Sequence, residues 1–412
     1  MPGRKFVRRF FAAAASIFIF VSLAVCRSEE SPKDYSFNGS ISREVLENFL
    51  SRAVSHQTLG TDDDPELLSD DIRMFVSIGA KFIGRSSIIW KTPDDLTAFF
   101  SRSSEIAAQV HRADDEIVLQ AGLFETVDQG VNDTEIPGWV FEEFGLVPES
   151  RCYRYADMLY EDGSLVDYFA PGNSIPDISR PETRMWFWHR AKLYIDAGYE
   201  AIHFGVVNAM AMNDPDHAFY DELLTRVRGY AQANARRHLV LCDAHHPTGW
   251  TRNGRTLFDF LSYPLRVQET AGRPIEGTIE AGSADCIYGQ TAGGLVPGGW
   301  EAVRLPYLVE FDNWGSSGYG GQDIGGIWIW GWDEIDWFSR LEESARNDWL
   351  GYAWARVKEM DPYGRLQMPT RRILADPIGD TRYWYYANDS GPSCFFGFNQ
   401  EGAIKEIWET DG

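Results

Sequence analysis

Four acids stand where short apolar runs give way to polar residues. They are Glu125 after 116–124, Asp243 after 239–242, Glu280 after 275–279 and Glu310 within 305–311. Two carboxyl groups flanking one bond can cleave a glycosidic linkage, one protonating the leaving oxygen while the other attacks or activates water. Glu310 leads the candidates because Asp312, Asn313 and Trp314 follow it closely. Its structural alternative is an acid paired with Arg85. Possible partners are Asp243, then Glu125, then Glu280, each also compatible with a solvated or salt-bridged acid. Asp333 and Glu334 instead suit the start of a helix, where the backbone dipole favours negative charge.

His203, His245 and His246 close neighbouring runs. With Asp243 they have the donor types of a metal site. Adjacent residues of an extended chain point to opposite sides, so both members of the His245–His246 pair do not readily reach one ion. His245 is therefore read as a hydrogen-bond donor to a ligand hydroxyl, and no metal is assigned. Arg85 ends the first run and suits a carboxylate, either catalytic or on an acidic ligand. Trp250, Trp314, Trp328, Trp330 and Trp332 offer flat apolar faces with a polar N–H, the form of a stacking platform. Alternation along 327–330 turns some of these toward the opposite face. No glycine fingerprint for a dinucleotide or a phosphate loop is present, and no cofactor is expected.

These side chains need a frame that gathers strand ends. The stretch 305–338 reads as two buried strands, 305–311 and 326–331, joined by a Gly-rich loop. Apolar runs of this kind suit parallel strands covered on both faces. Along the chain, runs begin near Ala80, Glu116, Cys152, Ala201, Leu239, Ile275, Leu305 and Gly326. Helical patterns lie between them at 65–77, after Thr92-Pro93-Asp94-Asp95, at 181–197 and at 216–236, with a long helix at 336–360. This alternation predicts parallel strands with crossover helices. Eight such units form an α/β (β/α)8 TIM barrel, whose ligands bind at the carboxyl ends of the strands. The irregular span 126–180 is a long loop insertion. Short β-like runs at 383–387, 394–398 and 403–408 predict a C-terminal β appendage. The expected division is 1–25 signal peptide, 26–60 N-terminal tether and helix, 61–375 barrel, and 376–412 appendage.

Composition narrows the function. The chain has 412 residues and a formal net charge of −23 without a basic stripe, so nucleic acid is not expected as a partner. The 15 tryptophans suit either a large aromatic core or sugar-stacking surfaces. Arg4, Lys5, Arg8 and Arg9 precede an apolar run over 10–23 that is short for a membrane span. It ends at Leu23-Ala24-Val25-Cys26, which resembles a bacterial lipobox with Val25 where a small residue is usual. The expectation is a cell-envelope lipoprotein anchored to the membrane by a lipid on Cys26, with plain secretion as the alternative. Cys152, Cys242, Cys286 and Cys394 show no metal-ligand spacing, and no disulfide is assigned.

Four segments carry a family resemblance. They are Pro176-Asp177-Ile178-Ser179-Arg180 with its following helix and Gly198, Leu241-Cys242-Asp243-Ala244-His245, Val309-Glu310-Phe311-Asp312-Asn313, and Ile327-Trp328-Ile329-Trp330. Together they resemble bacterial glycoside-hydrolase-type barrels across most of 81–361. In the retaining barrel glycosidases the nucleophile is a Glu ending the seventh strand, a position matched by Glu310. A Trp on the eighth strand often floors the sugar site, and Trp328 or Trp330 matches it. The family's general acid is a Glu ending the fourth strand. By the strand count that position is Asn208, which cannot protonate a leaving group. The resemblance thus implies a glycan ligand, with Glu310, Asp243 and Glu125 as catalytic candidates. Arg85, His203, Asn208, His245, Asn313, Trp314, Trp328 and Trp330 are the binding candidates. It also leaves a rival reading, a glycan-binding barrel that has lost its acid.

Overall fold

The computed structural model describes residues 33–273, 275–282, 285–313, 319–322, 330–379 and 381–410. Cys26, the segment 1–25, Trp314 and Trp328 lie outside the described residues. Helix α1 (Arg43–Leu50) starts where Ser42 caps the Val45 amide, and strand β1 (Ala53–His56) follows at once. Helix α2 (Pro65–Ile78) has Asp64 as cap, Pro65 in its first turn and Gly79 at φ 76° as its stop. Strand β2 (Phe82–Ile88) and helix α3 (Leu96–Ala113) come next. The cap of α3 is Asp95 and not Thr92, which bonds elsewhere. Then come β3 (Val118–Gly122), α4 (Pro181–Asp196), β4 (Ala201–His203), α5 (Ala218–Asn234) and β5 (Leu241–Asp243).

The second half differs more from expectation. Strand β6 is Leu261–Pro264 and β7 is Tyr307–Glu310. The run near Ile275 is not a core strand: Gly277–Thr278 forms only a small antiparallel pair with Gln268–Glu269. Cys152 makes one isolated bridge to Glu135 rather than a strand. The single helix expected at 336–360 is two, α6 (Glu334–Arg340) and α7 (Glu343–Met360). They break at Leu341, which is extended, with its carbonyl held by the guanidinium of buried Arg346. The run 326–331 falls largely outside the described residues, with Trp330 and Gly331 in a turn. Strands β8 (Gly364–Leu366) and β9 (Met368–Ile378) follow with only Gln367 between them, then β10 (Arg382–Tyr386). Helix α8 (Glu401–Thr410) replaces the strand expected at 403–408, with Ile404 and Trp408 buried on one face.

The result is a mixed α/β fold around parallel sheet. One seven-stranded sheet has the order β10-β9-β1-β2-β3-β4-β5, and a three-stranded sheet has the order β6-β7-β8. All these pairings are parallel except β9 with β10. Two links join the sheets: a parallel bridge from His245 to Ser262, and the near-continuous β8 and β9. The strands are nearly all buried, as expected where helices cover a parallel sheet.

One buried cluster gathers residues from the starts of several strands, namely Ala53, Phe82, Val118, Ala201, Leu241, Phe260 and Leu308. The α1 residues Val45, Leu46, Phe49 and Leu50 close it. Above this apolar layer lie polar side chains. A Cβ on Gly84 would fall onto the side-chain nitrogen of Gln367, which donates to the Val54 carbonyl at 3.0 Å. Gly84 thus lets Gln367 lie across β1 and β2. No helix among the described residues is long and apolar enough to cross a membrane. Cys152, Cys242, Cys286 and Cys394 are all free, and Cys242 is a core residue.

Candidate active site

The carboxyl ends of the strands carry a buried charged cluster. Glu310 closes β7 and is 2% exposed. One of its oxygens pairs with Arg85 of β2. The other is 2.7 Å from Nη1 of Arg372 on β9, and Ser55 of β1 donates to it at 3.3 Å. Arg372 also donates to the Asn313 side-chain carbonyl, whose amide in turn donates to the Ile373 carbonyl at 2.7 Å. Burial pushes the Arg372 guanidinium below its usual range, and the neighbouring Glu310 opposes that shift. Arg85 sits at φ 57°, in the left-handed region, where β2 bulges against β3. Its amide is held by the Gln120 side-chain oxygen at 3.0 Å. A non-glycine residue in that region carries local strain, and such strain concentrates at functional sites. The structural alternative for Glu310, an acid paired with Arg85, is therefore present in the geometry, strengthened by Arg372.

Asp243 closes β5 and is fully buried. Gln120 donates to one oxygen at 2.7 Å and Ser262 to the other at 2.6 Å. His203 at the end of β4 places Nδ1 2.8 Å from Asp243, in register with it across the strands. Its Nε2 is buried without a hydrogen-bond partner. A carboxylate on one ring nitrogen orients the other toward whatever enters the site. His245 packs its ring edge on Tyr263. Burial, then Arg85 and then His203, pushes it well below the usual imidazole range, which keeps the ring neutral. Phe124 joins the two charged groups: Arg85 lies over its ring at 5.2 Å, and His203 meets it edge-on at 5.3 Å.

The remaining candidates have the following partners. Glu125 accepts from the Val206 amide at 2.8 Å, in a space left by Gly205, where a Cβ would meet its carboxylate. Gly205 has φ 63° and so makes the turn and the space together. Asn208 is exposed on the short helix Val207–Met210 and accepts from His246 at 3.0 Å. Nδ1 of His246 accepts from the Thr248 and Gly249 amides, so Nε2 carries the proton. His246 thus shapes the 246–250 turn. No group of three or more His, Cys, Asp or Glu side chains among the described residues is placed to hold a metal ion. Glu280 is exposed near Arg356, away from the cluster.

The described tryptophans among the stacking candidates, Trp250, Trp330 and Trp332, are buried or half-buried. Trp330 is buried, stacked on Trp337 at 5.1 Å, with its indole N–H toward the Thr270 carbonyl. It sits among core residues instead of flooring the Glu310 cluster. Trp250 is buried against His217, and Trp332 lies under Arg340 with its N–H on Asp376. Sequence reasoning missed Arg372, Ser55, Gln120 and Ser262, which lie in strands it left out or in the middle of strands. Two surface clefts lie at the opposite edge, one beside Arg43 and Arg365, the other beside Leu239 and Arg228.

No protein-family model matches the chain, and no curated protein matches it. Among solved structures, it is similar to a native-form debranching enzyme from Nostoc punctiforme, with 12% identity and a TM-score of 0.33 over 58% of this chain and 55% of that one. The chain thus spans about half the length of that enzyme. It is also similar to the cyclic alpha-maltosyl-(1→6)-maltose hydrolase of Arthrobacter globiformis in complex with maltose, with 14% identity, TM-score 0.48, and coverage of 88% and 83%. A third is the glycoside hydrolase domain of PelA from Pseudomonas aeruginosa, with 8% identity, TM-score 0.35, and coverage of 77% and 94%.

Proposed function

We propose that this protein hydrolyses glycosidic bonds in a glycan at the cell envelope. The observation that carries the reading is the buried set of Glu310, Arg85, Asp243 and His203 at the carboxyl ends of parallel strands. Removing several charges from water costs several kcal/mol per ion unless each is paired. A charged cluster kept at the ligand-binding edge of a fold is therefore a functional-site candidate.

The same reading closes the two sheets into one (β/α)8 barrel. Its ring runs β1 to β7 with β8 and β9 as the eighth strand. Two contacts across the ring support it: Phe82 of β2 meets Phe260 at 5.7 Å, and Arg85 of β2 reaches Glu310 of β7. Glu310 then acts on the anomeric carbon as nucleophile, or on water as base. The Asp243–His203 pair passes the proton to the leaving oxygen through Nε2, with Glu125 as the alternative acid. Neutral His245 donates to a sugar hydroxyl. Cys26 is the proposed lipid anchor, testable by radiolabelled palmitate incorporation into wild type and Cys26→Ser.

One observation favours the rival reading, a glycan binder without catalysis: both oxygens of Glu310 are already engaged by arginines. Reducing-end release from a glycan panel separates the two. Wild type is expected to release sugar, and Glu310→Gln and Asp243→Asn to lose at least about a hundredfold in rate. Binding without release by wild type leaves the rival reading standing. Release by Glu310→Gln at the wild-type rate would remove Glu310 from the mechanism.

A further inference from the structure

An aromatic wall runs from the charged cluster to the surface. Phe124, which touches both Arg85 and His203, meets Trp90 at 5.5 Å. Trp90 meets Phe169 at 5.1 Å, and Phe169 meets Tyr168 at 5.0 Å. Trp90 is 45% exposed and Tyr168 is 59% exposed, whereas Phe124 is buried. Trp90 lies just past β2, and Phe124 just past β3, so the wall rises from the same edge as Glu310 and Asp243.

The three segments that carry the wall are tied to one another. The Thr92 amide and hydroxyl both donate to one oxygen of Asp128, at 2.6 and 2.8 Å. Asp128 in turn pairs with Asn173, and Val127 with Ser174, in a short antiparallel ladder. Thr126 donates to the Asn173 side chain at 2.6 Å, and the Phe169 amide donates to the Asn173 carbonyl at 3.2 Å. An exposed tryptophan on a loop braced in this way is ordered before any ligand arrives, which lowers the entropic cost of binding.

We propose that Trp90 and Tyr168 form a stacking platform for neutral pyranose rings of a glycan chain leading into the Glu310 cluster. The inference rests on the glycan reading above but not on catalysis. A flat, partly exposed ring matches the apolar C–H face of a pyranose, and the Arg85 and His245 end matches its hydroxyls. The net charge of −23 opposes both a polyanionic chain and a second copy of the protein at this wall.

Affinity electrophoresis of the full chain in gels containing dextran, hydroxyethylcellulose, galactomannan or alginate tests it. At least one neutral polysaccharide is expected to retard wild type. Trp90→Ala and Tyr168→Ala should each weaken that retardation by about tenfold, with both variants still folded by circular dichroism at the temperature of the gel. Loss of binding in the Trp90 variant, with no sugar release by wild type, keeps the platform and removes the enzyme. Sugar release with unaltered retardation of the double variant overturns the platform alone. Retardation by alginate only, no retardation by any neutral chain, or a concentration-dependent dimer that Trp90→Ala abolishes also overturns it.

Discussion

Glu310 carries the tension in this molecule. Its two oxygens are held from opposite sides by Arg85 and Arg372, with Ser55 beside the second. Such a carboxylate is restrained, and any group that binds it must compete with a guanidinium. Removing one partner of a buried ion pair leaves an uncompensated charge, which costs about 3–5 kcal/mol. Because Arg85 still pairs with Glu310, Arg372→Met is expected to lower the unfolding free energy by less than that, on the order of 1–3 kcal/mol, in urea denaturation. Adding Glu310→Gln to it should deepen the loss, because Arg85, paired with the other Glu310 oxygen, is then left without its carboxylate. Glu310 and Arg85 were legible in the sequence as polar residues closing apolar runs. Arg372 was not, since it follows the point at which the helical pattern ends and the chain reads as irregular.

At the level of elements, the start of α6 stores a second buried charge problem. Asp333 caps the helix by accepting from the Asp336 amide at 2.7 Å, while its other oxygen is buried without a partner. The expected capping role is thus observed. Burial, with Asp336 beside it, raises Asp333 to about 9, and burial raises Glu334 to about 7. The sign follows from proton counting. Below about pH 4 both folded and unfolded chains hold these protons, and stability is unaffected. Above it the unfolded chain ionises while the folded one keeps its protons, so stability falls as pH rises toward the folded values. Asp333→Asn keeps the cap and removes the titration. Its unfolding free energy in urea should match wild type near pH 4 and exceed it at pH 8, by a difference on the order of a few kcal/mol. A parallel decline in both proteins would count against this account. The elements missed in the sequence share a physical cause. Strand β1 has four residues and is buried on both faces, so it shows no period-2 alternation, and nothing punctuates it from α1. The reverse error at 403–408 arose from a short apolar run whose helical period is visible only once one face is seen to be covered.

For the molecule as a whole, an apolar cluster closes one end and the proposed site lies at the other. Phe49 is fully buried where α1 closes the cluster of strand starts. Phe49→Ala should cost about 3–5 kcal/mol by calorimetry or denaturant titration. It should leave glycan retardation unchanged under folding conditions, because the proposed site lies at the opposite strand ends. Loss of retardation in folded Phe49→Ala would show that the two ends are coupled. The alternation of strands and helices, the acid at the end of 305–311, and the capping acids at Asp333 were decided by the sequence alone, because each depends on local period and residue type. Which strands are neighbours depends on contacts between residues hundreds of positions apart. Only the tertiary structure could set Arg372 against Glu310, Gln120 and Ser262 against Asp243, and Trp90 beside Phe124. The tryptophans near 330 looked like a site in sequence because indole suits both stacking and burial. The fold decided for burial at Trp330, and left Trp90 in the open.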